Sequence, residues 1–451
     1  MYRQKPEIHT FPNGLRFVYE QHPSKIPKTH IRAFCHVGSI HEPDEIRGAS
    51  HFIEHMCFKG SKLFHNWSEV NTPFSQSGAY FNATTTKQYT CYTIDCLDSY
   101  VHHFLNILGD MLLHSIFDKN EYKKELNVVR EEVKMRTPDS FIECLAFSGS
   151  LYENWVDHTD YHKPGCLPYN AVVDYYHQYY VPNNMVLSIV SSVSFETLVR
   201  YISTTPFNIQ LSRKIKNPPI LNMNLGNLTE IRESVCSTQP SAGETSRIEI
   251  GVRVCDQTNE SDANSLIVLR HIISSTMSSR MFVELREKRG LTYRSGSYMN
   301  LYESTGVFVL YAVSDVTRLI DDPSSKQKKN NGVIPVMFDI LEDLVKNGIK
   351  DSELKMAKQN IKETLKMESI ASGDKSSYNG IRLMLHNDTD ILPNSEIYEK
   401  HYKKITKKDI NDVIKKYFAQ KIYFFSAIGG KLPKPNKLTG IIPSIQLRDS
   451  L

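Results

Sequence analysis

The sequence has no apolar run long enough to cross a membrane and no leader of the secretory kind. A membrane-spanning helix needs about 20 predominantly apolar residues, and no apolar run approaches that length here. The opening residues MYRQKP lack the apolar core of a signal peptide. The first predicted strand begins almost at once, which leaves little room for a mitochondrial presequence. We therefore expect a cytoplasmic protein, or one of another reducing compartment, without a membrane span.

Neither charge nor cysteine content indicates a specialised class of protein. The formal net charge is only +4, which gives no case for a nucleic-acid or membrane-surface partner. Eight cysteines are present without a C-x-x-C pair, so we expect mostly reduced, buried thiols. The chain has 451 residues, of which 40% are hydrophobic and 23% charged. This is the composition of a globular protein with two or more domains.

The most specific chemical signal is the pentapeptide HFIEH, in which His51, Glu54 and His55 lie on one face of a predicted helix. His51 and His55 are one helical turn apart, so their imidazoles converge on one point. Neutral imidazole is a common zinc ligand, and a catalytic zinc site takes three protein ligands and leaves the fourth position to water. Glu54 is then placed to take a proton from that water. The motif predicts a catalytic zinc site that still needs a third ligand.

The flanks of this motif favour a helix with a defined end. Phe52, Ile53 and Met56 supply apolar positions, and Lys59-Gly60 is typical of a basic last turn followed by a stop. Cys57 is not expected to bind the metal, because it lies two residues beyond His55 and so points elsewhere.

Residues 48–61, GASHFIEHMCFKGS, resemble the active-site helix of the pitrilysin family of zinc peptidases, also called inverzincins. The short members of that family include the mitochondrial processing peptidase beta subunit and bacterial zinc proteases. The resemblance implies that the third ligand is a glutamate a little under eighty residues past the second histidine, with another glutamate seven residues before it. Glu132 lies 77 residues after His55 and seven after Glu125.

Two adjacent glutamates compete for the role of third ligand. Positions seven apart on a helix return to nearly the same direction, whereas neighbours diverge by about 100 degrees. Glu125 and Glu132 therefore share a face that Glu131 does not. We predict Glu132 as the ligand and Glu125 as a group that orients it or a histidine. Without the resemblance, this segment would pass as an ordinary solvated helix rich in Glu and Lys.

A second segment, LREKRGLTY at residues 285–293, resembles the family's signature in the non-catalytic domain. The resemblance implies that Arg286 and Tyr293 face the zinc across a cavity and help to hold the substrate. A guanidinium can bind a peptide carbonyl or carboxylate, and a phenol can donate to the oxyanion of a tetrahedral intermediate. The alternative is a basic helix end followed by a core tyrosine.

Residues 78–85, GAYFNATT, resemble the family's edge strand with its Asn-Ala pair. An unpaired strand edge can add an extended peptide through main-chain hydrogen bonds, which would involve Asn82 and Ala83. The resemblance also implies that Phe58 lines the pocket just after the scissile bond. Acidic residues that read arginine in processing peptidases do not map cleanly onto Asp139 and Glu143, so arginine-directed processing is not expected.

The order of predicted elements favours an α+β fold with two homologous halves, each a mainly antiparallel sheet packed with helices. Alternating residues at 31–37 and 248–254 begin corresponding strands, and a helix follows each. We predict an N-terminal catalytic zinc-binding domain at residues 1–211, a linker at 212–244 and a C-terminal non-catalytic substrate-binding domain at 245–451. Only the first half contains H-x-x-E-H.

These observations predict a zinc-dependent endopeptidase that binds one Zn²⁺ per chain and cuts peptides or unfolded segments inside an enclosed chamber. His51, His55 and Glu132 are expected to hold the metal, and Glu54 to activate the water that attacks the scissile carbonyl. The resemblance implies a homodimer, or a heterodimer with a metal-free homologue. The alternative is a non-catalytic peptide-binding or scaffold subunit of the same fold. A purely structural zinc site would normally have four closed ligands with more cysteine.

Overall fold

A computed structural model describes most of the chain. The described residues are 5–21, 27–135, 142–147, 166–210, 234–240, 245–322, 324, 331–368, 372–429 and 445–447. None of the helices within these ranges combines the length and apolar character that a membrane span requires.

In the described part of the chain, twelve strands form two six-stranded sheets, with the first six strands in one sheet and the last six in the other. In chain order the strands are β1 Glu7–Thr10, β2 Arg16–Gln21, β3 Lys28–Cys35, β4 Tyr80–Thr85, β5 Thr90–Leu97, β6 Met185–Ser191, β7 Ser234–Pro240, β8 Thr245–Val254, β9 Arg294–Leu301, β10 Gly306–Asp315, β11 Phe424–Gly429 and β12 Ile445–Leu447.

Thirteen α-helical segments occur among the described residues. In chain order they are α1 Ala49–Cys57, α2 Trp67–Ser77, α3 Val101–Leu113, α4 Lys119–Met135, α5 Ile142–Ala146, α6 Tyr169–Tyr179, α7 Phe195–Ser203, α8 Glu260–Ser274, α9 Val333–Asn347, α10 Asp351–Glu368, α11 Ser372–Leu385, α12 Asn394–Ile397 and α13 Lys407–Val413. Short 3₁₀ and π-helical turns join several of them.

The two sheets repeat one topology. The first has the order β1-β2-β6-β3-β5-β4 and the second β12-β7-β11-β8-β10-β9. In both, the second and third strands of this order pair parallel, and the pairs that follow them are antiparallel. The first edge strand differs, because β1 pairs antiparallel with β2 whereas β12 pairs parallel with β7. Strands β2 to β6 thus correspond one by one to β7 to β11. The predicted α+β fold with two homologous, mainly antiparallel halves is confirmed.

Alternation along β3 explains why the first sheet is covered on both faces. Ile31, Ala33 and Cys35 point into the main core, which the helices α1, α3 and α6 complete. Phe34 points to the other face, where it packs with Leu383 of α11. The sequence of such a strand is almost continuously apolar, because both of its faces are buried.

The close seating of α11 on this sheet depends on Gly380. A Cβ atom at Gly380 would lie 2.2 Å from the Phe34 ring, so a side chain there would push the helix away. A buried ion pair fixes the same helix, since the Lys375 ammonium lies against the Glu20 carboxylate and Asn379 donates to the other oxygen of Glu20 at 3.0 Å. These contacts join α11 to the first sheet, although its sequence belongs to the second half.

The chain divides into two compact units that are not continuous in sequence. The first unit contains β1–β6, α1–α4, α6, α7 and α11, and the second contains the remaining elements. The short helix α5 lies in the second unit, where Ile142 packs on Gly251 of β8. Of the predicted linker at 212–244, the structure describes only β7, which belongs to the second sheet. The domain boundaries read from the sequence stay a prediction.

Candidate active site

The N-terminus of helix α1 is capped by a buried carboxylate from a residue outside the helix. Its first residue follows Gly48, which has a left-handed φ of 87° and no capping side chain. Glu42, six residues upstream, provides the cap: one carboxylate oxygen accepts the Gly48 N–H at 2.6 Å and the other accepts the Ser50 N–H at 2.7 Å. These bonds satisfy N–H groups that would otherwise be orphaned at a helix start. The first turn of α1, which leads into His51, is therefore fixed by Glu42.

Replacing Glu42 with glutamine is expected to change how stability depends on pH. Burial outweighs the two N–H donors and raises the pKa of Glu42 to about 7, whereas an unfolded Glu titrates near ~4.3. The folded state thus binds this proton more tightly, so the contribution of Glu42 to wild-type stability should fall by about 4 kcal/mol as the pH rises between these two values and stay level above about 7. Denaturant unfolding at pH 5 and pH 8 measures this fall. The Glu42→Gln variant should lack it, and an identical pH dependence in both proteins would contradict the expectation.

The two histidines of α1 converge as the helical spacing requires. Their Nε2 atoms are 3.2 Å apart, and their rings meet edge to face with centroids 4.7 Å apart. The His51 side chain is buried, whereas that of His55 is 20% exposed. Both nitrogens therefore point at one spot that solvent can reach from the side of His55.

Glu132 on α4 brings a carboxylate to the same spot. Its oxygens lie 3.3 Å from His55 Nε2 and 3.9 Å from His51 Nε2. One ligand atom from each of these three residues falls within 4.8 Å of the others. Tetrahedral zinc with bonds of about 2.0–2.1 Å needs donor atoms roughly 3.3 Å apart. The set of two imidazoles and one carboxylate fits that ion in both spacing and chemistry.

Glu125 lies behind His55, one side of it bound to the imidazole and the other to a lysine. The carboxylate is 3% exposed, with His55 Nδ1 at 2.8 Å and Lys59 Nζ at 2.6 Å. Burial alone would raise the pKa of Glu125, but the bonds to His55 and Lys59 lower it below its ordinary value. Glu125 therefore stays ionised and holds the Nδ1 side of the imidazole, which turns Nε2 toward Glu132.

The carboxylates around His55 also change the pKa of its imidazole. Burial lowers its pKa, but the hydrogen bond to Glu125 and the negative charges of Glu54 and Glu132 outweigh burial and raise it. Three carboxylates around one imidazole make a site that attracts a cation. Lys59 was not among the residues predicted for the site, although it is one turn beyond His55 and so on the same helix face.

Aromatic packing sets the position of α4 against α1. Phe52 lies beside His51 in sequence and points into the core, where its ring meets Tyr122 of α4 edge to face at 4.6 Å between centroids. The Tyr122 hydroxyl is in turn fixed by a 2.8 Å bond to the Leu167 carbonyl. Glu125 is the next residue on the Tyr122 face of α4, whereas Glu131 is exposed. The face of α4 that meets α1 therefore carries Glu125 and Glu132.

Glu54 is buried on α1, next to His55 in sequence, and contacts the edge strand of the sheet. The hydroxyl of Thr85, the last residue of β4, donates to Glu54 Oε2. Sequence reasoning missed Thr85, although a signal was present. Alternation along β4 puts Phe81, Ala83 and Thr85 on one face, and their half-buried state agrees with this.

Strand β4 is the outer strand of its sheet and pairs only with β5 among the described strands. Asn82 is exposed; its amide donates to the Tyr80 hydroxyl at 2.9 Å, and its Oδ1 accepts the Ala83 N–H at 2.9 Å. Phe58 is half-buried at the end of α1, with its ring 4.9 Å from that of Phe81. The aromatic pair and the strand edge therefore lie on the part of the first unit that carries Glu54.

Cys57 lies away from the metal-ligating group. It is fully buried, and burial raises the pKa of its thiol to about 12. Cys35, Cys91, Cys96, Cys166 and Cys255 are likewise free thiols, all of them buried except Cys166. These described cysteines agree with the expectation of reduced, mainly buried thiols.

Arg286 and Tyr293 lie in the second unit. Arg286 is part of a π-helical turn, Phe282–Glu287, and its guanidinium stacks 5.0 Å from the Phe282 ring and 5.0 Å from the Tyr293 ring. Tyr293 is 85% exposed, so it is not the core tyrosine of the alternative interpretation. Single π-helical turns are often found at functional sites.

Glu143 is engaged within the second unit. Its Oε1 accepts the Asn300 amide at 2.7 Å and the Tyr302 hydroxyl at 2.9 Å, and the residue is buried. Asp139 lies outside the described residues.

Two family models match the chain, in the order of its two halves. The model described as "Insulinase (Peptidase family M16)" matches residues 16–155, and "Peptidase M16 inactive domain" matches residues 167–361. The uncharacterized zinc protease YmxG of Bacillus subtilis is 29% identical over 377 residues, which are 82% of this chain and 86% of that protein. An uncharacterized zinc protease of Streptomyces coelicolor is 26% identical, over 76% of this chain and 73% of that protein.

Solved structures share the fold at low sequence identity. A protease from Helicobacter pylori superposes with a TM-score of 0.79 at 20% identity, over 95% of this chain and all of that one. A structure described as the peptidase M16 inactive domain from Pseudomonas fluorescens has a TM-score of 0.75 at 16% identity, over 96% and 100% of the two chains. The first half of the periplasmic protease PqqL from Escherichia coli has a TM-score of 0.76 at 14% identity, over 97% and 96%.

Proposed function

Because the chain belongs to the pitrilysin family of peptidases, peptidase family M16, we propose that it is a zinc-dependent endopeptidase that hydrolyses peptides or unfolded polypeptide segments. The single observation that carries the proposal is the convergence of His51, His55 and Glu132, with Glu54 beside them on α1. A scaffold protein has no need of this combination. The names of the curated relatives, which describe zinc proteases, agree with it.

His51, His55 and Glu132 would hold the metal, and zinc would supply Lewis-acid polarisation and a lowered pKa of water. To act as ligands, both histidines must present a neutral Nε2. Glu125 keeps Nε2 of His55 available as a ligand. Its carboxylate accepts the Nδ1 proton of His55 at 2.8 Å, which leaves the lone pair on Nε2. Lys59, at 2.6 Å, keeps that carboxylate ionised.

Glu54 is the proposed general base. Its carboxylate takes a proton from the attacking water as the water oxygen bonds to the scissile carbonyl carbon, and it passes that proton to the amine that leaves when the C–N bond breaks. Glu54 is buried on α1, next to His55 in sequence.

The substrate would bind as an extended peptide along β4. The outer edge of this strand offers the main-chain N–H of Ala83, and the Asn82 side chain that now accepts it would yield to a peptide carbonyl. Phe58 is proposed to contact the residue that follows the scissile bond. Arg286 and Tyr293, in the second unit, are proposed to bind a substrate carbonyl and the developing oxyanion.

The assembly that we propose is a pair of chains that encloses a chamber, either two copies of this chain or one copy with a metal-free homologue. Enclosure would favour peptides and unfolded segments over folded proteins. Sedimentation velocity of the purified chain, alone and after co-expression with a homologue from the same source, would distinguish the two kinds of pair from a monomer.

A non-catalytic peptide-binding subunit is the second candidate. It draws on the family model for residues 167–361, which describes an inactive domain, and on the Pseudomonas fluorescens structure of the same description. Under that function, Glu54 and Glu132 could be replaced without effect on peptide binding.

The test is zinc content together with turnover of a quenched fluorescent peptide. We expect about one zinc per chain by elemental analysis, turnover that stops on treatment with a chelator, and recovery on addition of Zn²⁺. An intact zinc complement with no turnover of a peptide library in any assembly state would overturn the endopeptidase and favour the binding subunit. Absence of stoichiometric zinc would overturn the metal site itself.

A further inference from the structure

The contact between Thr85 and Glu54 joins two parts of the site that are far apart in sequence. Thr85 ends β4, the proposed peptide-binding strand, and Glu54 is the proposed base on α1. The Thr85 hydroxyl has one proton, and it donates that proton to Glu54 Oε2. This bond ties the base to the strand that would carry the substrate.

The hydroxyl of Thr85 is held by the sheet rather than by a mobile loop. Thr85 pairs with Thr90 in the antiparallel ladder of β4 and β5. The turn between them is closed by bonds between Thr86 and Tyr89, with the Thr86 N–H donating to the Tyr89 carbonyl at 2.8 Å and the Tyr89 N–H donating to the Thr86 hydroxyl at 3.0 Å. A β-branched side chain adds a restricted χ1. The position of the hydroxyl is therefore set before any substrate binds.

A fixed donor on one carboxylate oxygen restricts the rotation of the whole carboxylate. With Oε2 of Glu54 engaged by Thr85, the plane of the carboxylate is fixed relative to both α1 and β4. A general base is effective only within hydrogen-bond reach of the proton that it takes. Small errors in such positions have large effects on rate, since catalysis depends on pre-organised geometry.

We propose that Thr85 is a positioning residue that aligns the Glu54 carboxylate with the peptide-binding strand β4. The inference rests on the proposed function, and it adds a residue that acts through the base without touching the metal. Thr85 does not take part in the chemistry itself. Its hydroxyl fixes the distance between the strand that holds the scissile peptide and the group that activates water.

The test compares Thr85→Val, which removes the hydroxyl but keeps the shape, with Thr85→Ser, which keeps the hydroxyl. Loss of one hydrogen bond to a charged group predicts a fall in kcat of about 10- to 100-fold for Thr85→Val, with KM within about twofold of wild type. Thr85→Ser should recover most of the lost kcat. Zinc content should be unchanged in both variants, because Thr85 contacts none of the three ligating residues in the described hydrogen bonds.

Thr29→Val is the matched control. The Thr29 hydroxyl also donates to a carboxylate, that of Asp98, at 2.6 Å, and Thr29 pairs with the far end of β5, at Cys96. Six residues of strand, or about 20 Å, separate that position from the Thr85 partner Thr90. This variant should lose stability but keep the wild-type kcat, which separates a general effect of a missing hydroxyl from an effect on the base.

Three results would overturn the positioning role. A wild-type kcat in Thr85→Val would do so, as would an equal loss in Thr85→Ser, or a parallel loss of zinc. If thermal denaturation shows that Thr85→Val is not folded, Thr85→Ala replaces it in the comparison with Thr85→Ser. The same outcomes then apply. Failure of the proposed function is seen separately, because the wild-type protein would then have no zinc-dependent turnover to compare.

Discussion

Glu54→Gln is expected to abolish peptide hydrolysis while the metal stays bound. Glutamine keeps the shape of the side chain, and its carbonyl oxygen still accepts the hydrogen bond from Thr85. It cannot take a proton from water, so kcat should fall by about 10²- to 10⁴-fold, the usual contribution of a general base. His51, His55 and Glu132 are untouched, so zinc content should equal that of wild type. Turnover of a quenched peptide and elemental analysis on the same sample measure both quantities.

Glu45→Gln is the control for the loss of one negative charge near α1. Glu45 is exposed in the short turn that precedes the helix, and the substitution is chemically the same. Its turnover should be within about twofold of wild type. A Glu54→Gln variant that retained a tenth or more of wild-type kcat would exclude Glu54 as the base, and the search for the base would move to a group outside α1.

The sequence alone predicts the strands and helices around the site well, because local periodicity decides them. Most of the alternating segment at 31–37 lies in β3, and H-x-x-E-H lies on α1. The correspondence of 248–254 with 31–37 also holds, since β8 and β3 have equivalent places in their sheets. In each case the residues that define the pattern are neighbours along one element.

Contacts between elements distant in sequence could not be predicted in this way. No pattern near residues 372–385 indicates that α11 packs on a sheet built from the first half, because its partner residues Glu20 and Phe34 lie about 350 positions away. The cap on α1 is another case. Glu42 is seven residues before the first residue of the helix, and no pattern within the helix indicates that its carboxylate accepts the N–H groups of the first turn.

The residues of the site were predicted only in part from local patterns. His51, Glu54 and His55 follow from the geometry of one helix, whereas Glu132 required a spacing taken from the resemblance. Lys59 could have been found, since it is four residues past His55 and Glu125 was already predicted to orient Glu132 or a histidine. The role of Thr85 depends on the distance between a strand and a helix, which no single-element pattern contains.

Glu132→Gln is expected to release the metal, in contrast to the same substitution at the adjacent Glu131. Glu132 presents its oxygens to both histidines at 3.3 and 3.9 Å, whereas Glu131 is exposed on another face of α4. A neutral amide is a poor replacement for a carboxylate ligand of zinc. The affinity for zinc should therefore fall by more than the 10- to 100-fold that loss of an outer partner typically costs.

A series of three variants orders the glutamates of α4 by their distance from the metal. Glu131→Gln should bind zinc as wild type does, Glu125→Gln should bind about 10- to 100-fold more weakly, and Glu132→Gln should bind weakest of all. Competition with a chromogenic chelator measures the three affinities, and the rise in melting temperature on addition of zinc follows the same order, since a ligand stabilises the fold that binds it. Each variant loses one negative charge from the same helix, so a difference among them cannot come from net charge. If Glu131→Gln were the weakest, α4 would have to present its other face to α1, and the contact of Phe52 with Tyr122 at 4.6 Å would be incompatible with the metal-bound protein.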